Sequence, residues 1–194
     1  MILIGSRALK FRAPFLLSKE PKDFDFIAYS DEAIEWLEKH EIKDYEIKDG
    51  KIISESNMVE IELIKENSSS EMLNKIVESD PKTIKTDFGL IPNLNLLFTL
   101  KQSHRFLKNS PHFWKTAIDW HKMKNFGCEI LPEHQEFLKL RERETYNYSH
   151  PKLNVKKDDF FGDDIKCEID HDFIHECVKL FDKPAYEYYK KDGE

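Results

Sequence analysis

The stretch KDFDFIAY, from Lys22 to Tyr29, limits the folds open to this chain more than any other segment. Polar and apolar residues alternate and then give way to an apolar run, the pattern of a strand. Side chains on a strand alternate with period two, so Asp23 and Asp25 project from one face while Phe24 and Phe26 anchor the other. Two carboxylates crowded on one face are costly unless a cation lies between them. The strand therefore belongs to a sheet with an aromatic core behind it and a cation-holding surface in front.

The sequence around it supplies the rest of such a sheet. Met1 to Ile4 is a short apolar run ending at Gly5-Ser6, which reads as a buried strand entering a helix. Ser30 is the expected N-cap of a helix from Asp31 to His40, with Ala33, Ile34 and Leu37 as its apolar stripe. Tyr45 to Ile47 and Lys51 to Ile53 flank Asp49-Gly50, a two-residue hairpin signal. Met58 to Ile64 alternates again, with Val59, Ile61 and Leu63 on one face and Glu60 and Glu62 on the other. A helix is expected from about Glu71 to Glu78. Beyond Pro92 the pattern is helical almost throughout, with breaks near Asn109-Ser110-Pro111, Phe126-Gly127, Leu131-Pro132 and His150-Pro151. The fold class expected is α+β: a mixed sheet with flanking helices over residues 1–90, then a helical part over 91–194.

Composition narrows the function classes. Fourteen Phe, seven Tyr and three Trp supply a core, which excludes global disorder. A net charge of -7 argues against broad nonspecific binding to nucleic acid, while leaving room for a local basic cleft. Cys128, Cys167 and Cys177 form no CxxC pair and read as reduced thiols. No apolar run approaches the ~18 residues that span a bilayer, and MILIGS lacks the basic flank and cleavage site of a signal peptide. A cytoplasmic location and no membrane partner are the expectations.

Asp23 and Asp25, joined by a third carboxylate on a neighbouring strand, either Glu60 or Glu62, make an all-oxygen donor set suited to Mg²⁺ or Mn²⁺. Ions held this way stabilise the attacking and leaving oxygens of phosphoryl or nucleotidyl transfer. The Gly5-Ser6 turn complements them: glycine permits close backbone approach, and the helix it opens offers free N–H groups to phosphate. The Ser6 hydroxyl can add a donor, and Arg7 or Lys10 can steady phosphate charge.

The stretches ILIGSRAL, KDFDFIA and VEIELI, in this order, resemble the nucleotidyltransferase superfamily that includes DNA polymerase beta and small antitoxin or toxin nucleotidyltransferases. The resemblance covers about the first third of the chain. It implies that Gly5 and Ser6 bind the triphosphate of an NTP, that Asp23 and Asp25 bind metal, and that Glu60 or Glu62 is the third acid. The stretch LFTLKQSHRFLKNSPHFWKTAIDWHKMK is similar to the helical segment of bacterial abortive-infection nucleotidyltransferase toxins, a likeness that points to phage or toxin–antitoxin biology. It implies that Lys101, Lys115 and Asp119 line the nucleotide cleft; an amphipathic helix pair with a Lys115–Asp119 ion pair is the alternative.

A second constellation, DHDFIHE, puts His171 and His175 on one helix face, with Asp172 and Glu176 on the adjacent one. That spacing can hold a transition metal, and it resembles the His-Asp pair of metal-dependent phosphohydrolases. The leading expectation is a Mg²⁺- or Mn²⁺-dependent enzyme moving a nucleotidyl group from an NTP to an RNA, protein or small-molecule acceptor. The alternatives are a nucleotide phosphohydrolase centred on His171, Asp172 and His175, and a catalytically degenerate nucleotidyltransferase fold that only binds.

Overall fold

The computed structural model of the chain describes residues 1–17, 20–104, 113–145, 167–169 and 189–191. Its fold is α+β, built on a seven-stranded mixed sheet in the order β3-β4-β5-β2-β1-β7-β6. The strands are β1 (Ile2–Ile4), β2 (Phe24–Ala28), β3 (Glu46–Lys48), β4 (Lys51–Ser54), β5 (Val59–Leu63), β6 (Ile84–Thr86) and β7 (Gly89–Ile91). The helices are α1 (Gly5–Arg12), α2 (Ser30–Lys39), α3 (Ser69–Ser79), α4 (Leu94–Ser103), α5 (Phe113–Phe126) and α6 (Gln135–Thr145).

The centre of the sheet is β5-β2-β1, where β2 runs parallel to β5 and antiparallel to β1. All three residues of β1 are buried, as a strand flanked on both edges requires. Register fixes two faces. Leu3, Phe26 and Ile61 align across the three strands on one face, and Ile4, Asp25 and Glu60 align on the other. The first face is apolar: the Trp36 ring of α2 packs 4.8 Å from Phe26, and Phe24 lies 5.8 Å from Phe26. Burying aromatic rings here supplies much of the core's hydrophobic stabilisation.

Local signals set most boundaries. Asp49 and Gly50 adopt φ of +50° and +76°, the left-handed pair of a type I′ turn, and join β3 to β4 with Lys48 opposite Lys51. The Ser68 hydroxyl accepts from Glu71 N at the start of α3, and Asn93 Oδ1 accepts from Leu96 N at the start of α4. The second helix begins one residue earlier than expected. Tyr29 is its N-cap and Ser30 its first helical residue, because Glu32 reaches back to accept from Tyr29 N at 3.2 Å.

The β6–β7 hairpin was not expected at all. Its three-residue strands carry little alternation, and β7 is held by parallel pairing to β1, a contact distant in sequence. From Leu94 onward the described residues are helical, with a 3-10 turn at Pro132–His134. The exception, and a correction to the helical expectation, is the antiparallel pair β8 (Cys167–Ile169) and β9 (Tyr189–Lys191). Among the described residues no helix is long and apolar enough to cross a membrane.

Candidate functional site

The candidate site starts at the end of β1, where the chain turns into α1. Gly5 sits at φ +67°, a conformation that costs an L-residue strain. Space demands glycine as well: a β-carbon here would overlap the Asp25 carboxylate oxygen and come within 3.1 Å of Asp25 Cγ. The turn and the carboxylate are thus in direct apposition, at the N-terminus of α1.

Asp25 stands opposite Glu60 on the parallel neighbour β5, and Glu62 stands opposite Ile27. The three acids Asp25, Glu60 and Glu62 therefore share one face. Their present partners differ. Lys51 on β4 donates to Glu60 Oε1 at 2.5 Å, and both side chains are more than 40% exposed. Arg141 on α6, almost fully buried, forks onto Glu62 with Nη1 to Oε1 at 2.5 Å and Nη2 to Oε2 at 2.6 Å. Among the described residues no group of three His, Cys, Asp or Glu side chains converges as a ready metal cage.

Helices from the second half close over the turn. Asp119 on α5 is fully buried and accepts from Lys101 Nζ on α4 at 3.0 Å. The buried Ser6 hydroxyl lies 3.5 Å from the same Asp119 oxygen. Ser6, Lys101 and Asp119, three residues expected near the nucleotide, thus meet across a sequence separation of 113 residues. The Lys115 side chain lies outside the described residues, and with it both its expected place in the nucleotide cleft and the alternative ion pair with Asp119. Trp120, expected to pack, stacks on Phe98 at 5.7 Å.

Arg7 stands elsewhere than the phosphate role expected of it. Its Nε donates to Asp23 O at 3.0 Å, its Nη2 donates to Pro21 O and Lys22 O, and its guanidinium lies 3.8 Å over the Phe24 ring. It clamps the loop that delivers Asp23 to the start of β2. Lys10 pairs with Glu20 on the surface.

Sequence reasoning missed Arg141 and Glu144 altogether. Glu144 accepts from Ser69 N at 3.0 Å and from the Ser69 hydroxyl, placing a carboxylate on the N-terminus of α3. Arg141 Nη1 also donates to Ser69 Oγ at 3.3 Å. The signal in the sequence was Arg141 standing one helical turn after Phe137 and Leu138, on the buried stripe of α6. His104 is the C-cap of α4. Burial first, then the charges of Arg141, Lys101 and Lys51, pushes its imidazole down to about 3, so it is neutral at physiological pH.

A family model described as a domain of unknown function (DUF7275) matches residues 96–194, just over half of the chain. The chain belongs to this family. No curated protein and no solved structure matches it. The DUF7275 segment begins inside α4 and carries Lys101, Asp119, Arg141 and Glu144, whereas Gly5, Ser6, Asp23, Asp25, Glu60 and Glu62 precede it. Its charged side chains nonetheless meet partners in that earlier part: buried Asp119 with Ser6, buried Arg141 with Glu62, and the more exposed Glu144 with Ser69. The second metal-ligand constellation, His171, Asp172 and His175, belongs to the DUF7275 segment but lies outside the described residues.

Proposed function

We propose that this chain is a nucleotidyltransferase that uses Mg²⁺ or Mn²⁺ to move a nucleotidyl group from an NTP to an acceptor hydroxyl or phosphate. One observation carries the reading. Ile4, Asp25 and Glu60 align across three adjacent strands, so the residue leading into the Gly5-Ser6 turn, Asp25 and a third carboxylate lie side by side, with Asp23 in the loop that enters β2 just before Asp25.

The donor set fits the cation. Mg²⁺ is held through one or two carboxylates and completes its shell with water and substrate phosphates, so a preformed cage is not required. Asp23 and Asp25 would hold it, and bound there it would neutralise charge on the phosphate oxygens. The α1 N-terminus and Ser6 face the triphosphate in this reading, with Lys101 balancing its charge. An acceptor oxygen attacks the α-phosphorus, the bond to the β-phosphate bridging oxygen breaks, and pyrophosphate leaves. The acceptor's proton passes to a carboxylate.

Glu60 is the better third acid. It stands beside Asp25, and its partner Lys51 is an exposed pair of the kind that contributes little stability. Glu62 is held by both Nη groups of a buried arginine. Freeing it would strand that cation.

The test offers each labelled NTP with Mg²⁺ or Mn²⁺ to RNA, protein and small-molecule acceptors and follows label transfer with pyrophosphate release. Asp23→Ala and Asp25→Ala should each abolish transfer while leaving the circular dichroism spectrum intact; full activity in either removes the assignment. A second reading, a catalytically degenerate binding protein, draws on the ion pairs that already engage Glu60 and Glu62. NTP binding without transfer to any acceptor would favour it.

A further inference from the structure

The two aspartates of the Asp-x-Asp pair are held in place by different means. Asp25 lies within the sheet, paired with Ile4 on β1 and with Glu60 on β5. Pairing on both sides fixes its backbone. The strand begins at Phe24, so Asp23 stands one residue before the ladder, in the loop from Pro21. Strand pairing alone does not set where its carboxylate lies.

Arg7 supplies what the ladder does not. Its Nε donates to Asp23 O at 3.0 Å, and its Nη2 donates to Lys22 O at 3.0 Å and Pro21 O at 3.3 Å. One guanidinium thus holds three consecutive carbonyls, while its carbon lies 3.8 Å from the Phe24 ring centroid. The peptide between Asp23 and Phe24 is gripped at both ends, because Phe24 N donates to Met58 O at 2.8 Å. A planar fork suits this task and an ammonium does not: lysine cannot span the carbonyls and lie flat on the ring together. Arg7 also follows Ser6 on α1, so the helix start that faces phosphate in the proposed function carries the clamp on Asp23. Arg12, the last residue of the same helix, makes a matching clamp on other segments. Its Nε donates to Pro92 O at 2.8 Å, and its Nη2 donates to Ile91 O at 2.7 Å and Lys82 O at 2.6 Å. None of the row of acids lies on the segments that Arg12 holds.

We propose that Arg7 is a positioning residue that sets Asp23 for the divalent cation and so ties cation affinity to the start of α1. The inference rests on the proposed function, since it takes Asp23 and Asp25 as the ligands. Arg7 touches the loop backbone and the Phe24 ring, and it acts on the cation only through Asp23. Removing a group that orients a metal ligand weakens metal binding by about 10–100-fold.

The test titrates Mn²⁺ into the full chain with an α,β-methylene NTP analogue, which cannot be turned over, and counts free Mn²⁺ by electron paramagnetic resonance. Wild type should bind, and Asp23→Ala should lose most of that affinity. Arg7→Lys keeps the charge at a half-buried position, so the variant stays folded, and it should bind Mn²⁺ about ten-fold more weakly. Arg12→Lys breaks the matching clamp and should lower the urea midpoint at least as much, yet bind Mn²⁺ like wild type. In the transfer assay Arg7→Lys should raise the Mn²⁺ concentration for half-maximal rate and leave kcat at saturating Mn²⁺ near wild type. Wild-type Mn²⁺ affinity in Arg7→Lys overturns the inference while Asp23 stands as a ligand. An equal loss in Arg12→Lys overturns it too, because general loosening of α1 would then be the cause. Absence of Mn²⁺ binding in wild type, or full binding in Asp23→Ala, removes the proposed metal site itself and the inference with it.

Discussion

The Asp25 carboxylate lies against the α-carbon of Gly5, filling the space that any larger residue's β-carbon would need. Backbone and carboxylate at the turn are therefore coupled, and the coupling can be measured. Gly5→Ala should cost about 2 kcal/mol or more, through left-handed strain plus displacement of Asp25. Adding Asp25→Ala should recover the steric part and leave the strain of roughly 1 kcal/mol. Urea denaturation of the two single variants and the double variant closes the cycle. Strict additivity would show that the turn and the carboxylate do not press on each other.

The Lys101–Asp119 pair tests the join between the sheet and the DUF7275 helices. Asp119 is fully buried and the Lys101 side chain is 10% exposed, so solvent screens the pair little. Asp119→Asn leaves a buried ammonium without its counter-charge and should cost about 3 kcal/mol. Combining it with Lys101→Met should restore most of that stability, because an apolar side chain of similar length removes the stranded charge. Thermal unfolding of the three variants decides it. A double variant no better than Asp119→Asn would mean that other contacts of Asp119 carry the cost.

What the sequence made legible depended on local patterns. The DFDF and VEIELI alternations marked two central strands and put Asp25, Glu60 and Glu62 on one face, as the register has it. Asp49-Gly50 marked a hairpin because its two residues need left-handed backbone. The rest was set by contacts distant in sequence. The strands Ile84–Thr86 and Gly89–Ile91 form because the edge of β1 is open to them. Arg7 looked like a phosphate ligand because it follows Gly-Ser, yet its position over Phe24 follows from where the Pro21–Asp23 loop passes. Neither Glu60 nor Glu62 could be preferred from alternation, which treats them alike. Their difference arises from Arg141, 79 residues further along the chain.

Acid sensitivity follows from His104. Burial and three nearby cations hold its folded-state pKa near 3, below the ordinary 6.5. As pH falls below about 6.5 the unfolded chain takes up a proton there that the folded chain refuses until about 3. The unfolded state binds more protons across this window, so stability is complete above it and declines as pH falls through it. Burial lowers the His134 imidazole too, which adds in the same direction. His104→Gln should therefore lose less stability than wild type between about pH 7 and pH 5. Urea midpoints at several pH values test this. Parallel curves for the two proteins would remove His104 from the account.

Glu60 and Glu62 share a face and a charge but not an environment, and the pair separates chemistry from stability. Glu62→Gln would leave Arg141, with 6% of its side chain exposed, facing a neutral amide. Removing one partner of a buried ion pair strands the other charge; Glu62 retains some solvent contact, so about 2–3 kcal/mol is the expected loss. Glu60→Gln removes only an exposed pair with Lys51 and should change stability by less than ~1 kcal/mol. The functional ranking runs the other way. If Glu60 is the third acid beside Asp25, Glu60→Gln should abolish transfer in a protein that melts like wild type. Glu62→Gln should retain turnover per folded molecule at a temperature where it remains native. Measuring the melting transition and nucleotidyl transfer on the same samples distinguishes the roles. Turnover lost in Glu62→Gln and kept in Glu60→Gln would make Glu62 the acting acid, requiring Arg141 to release it during the reaction.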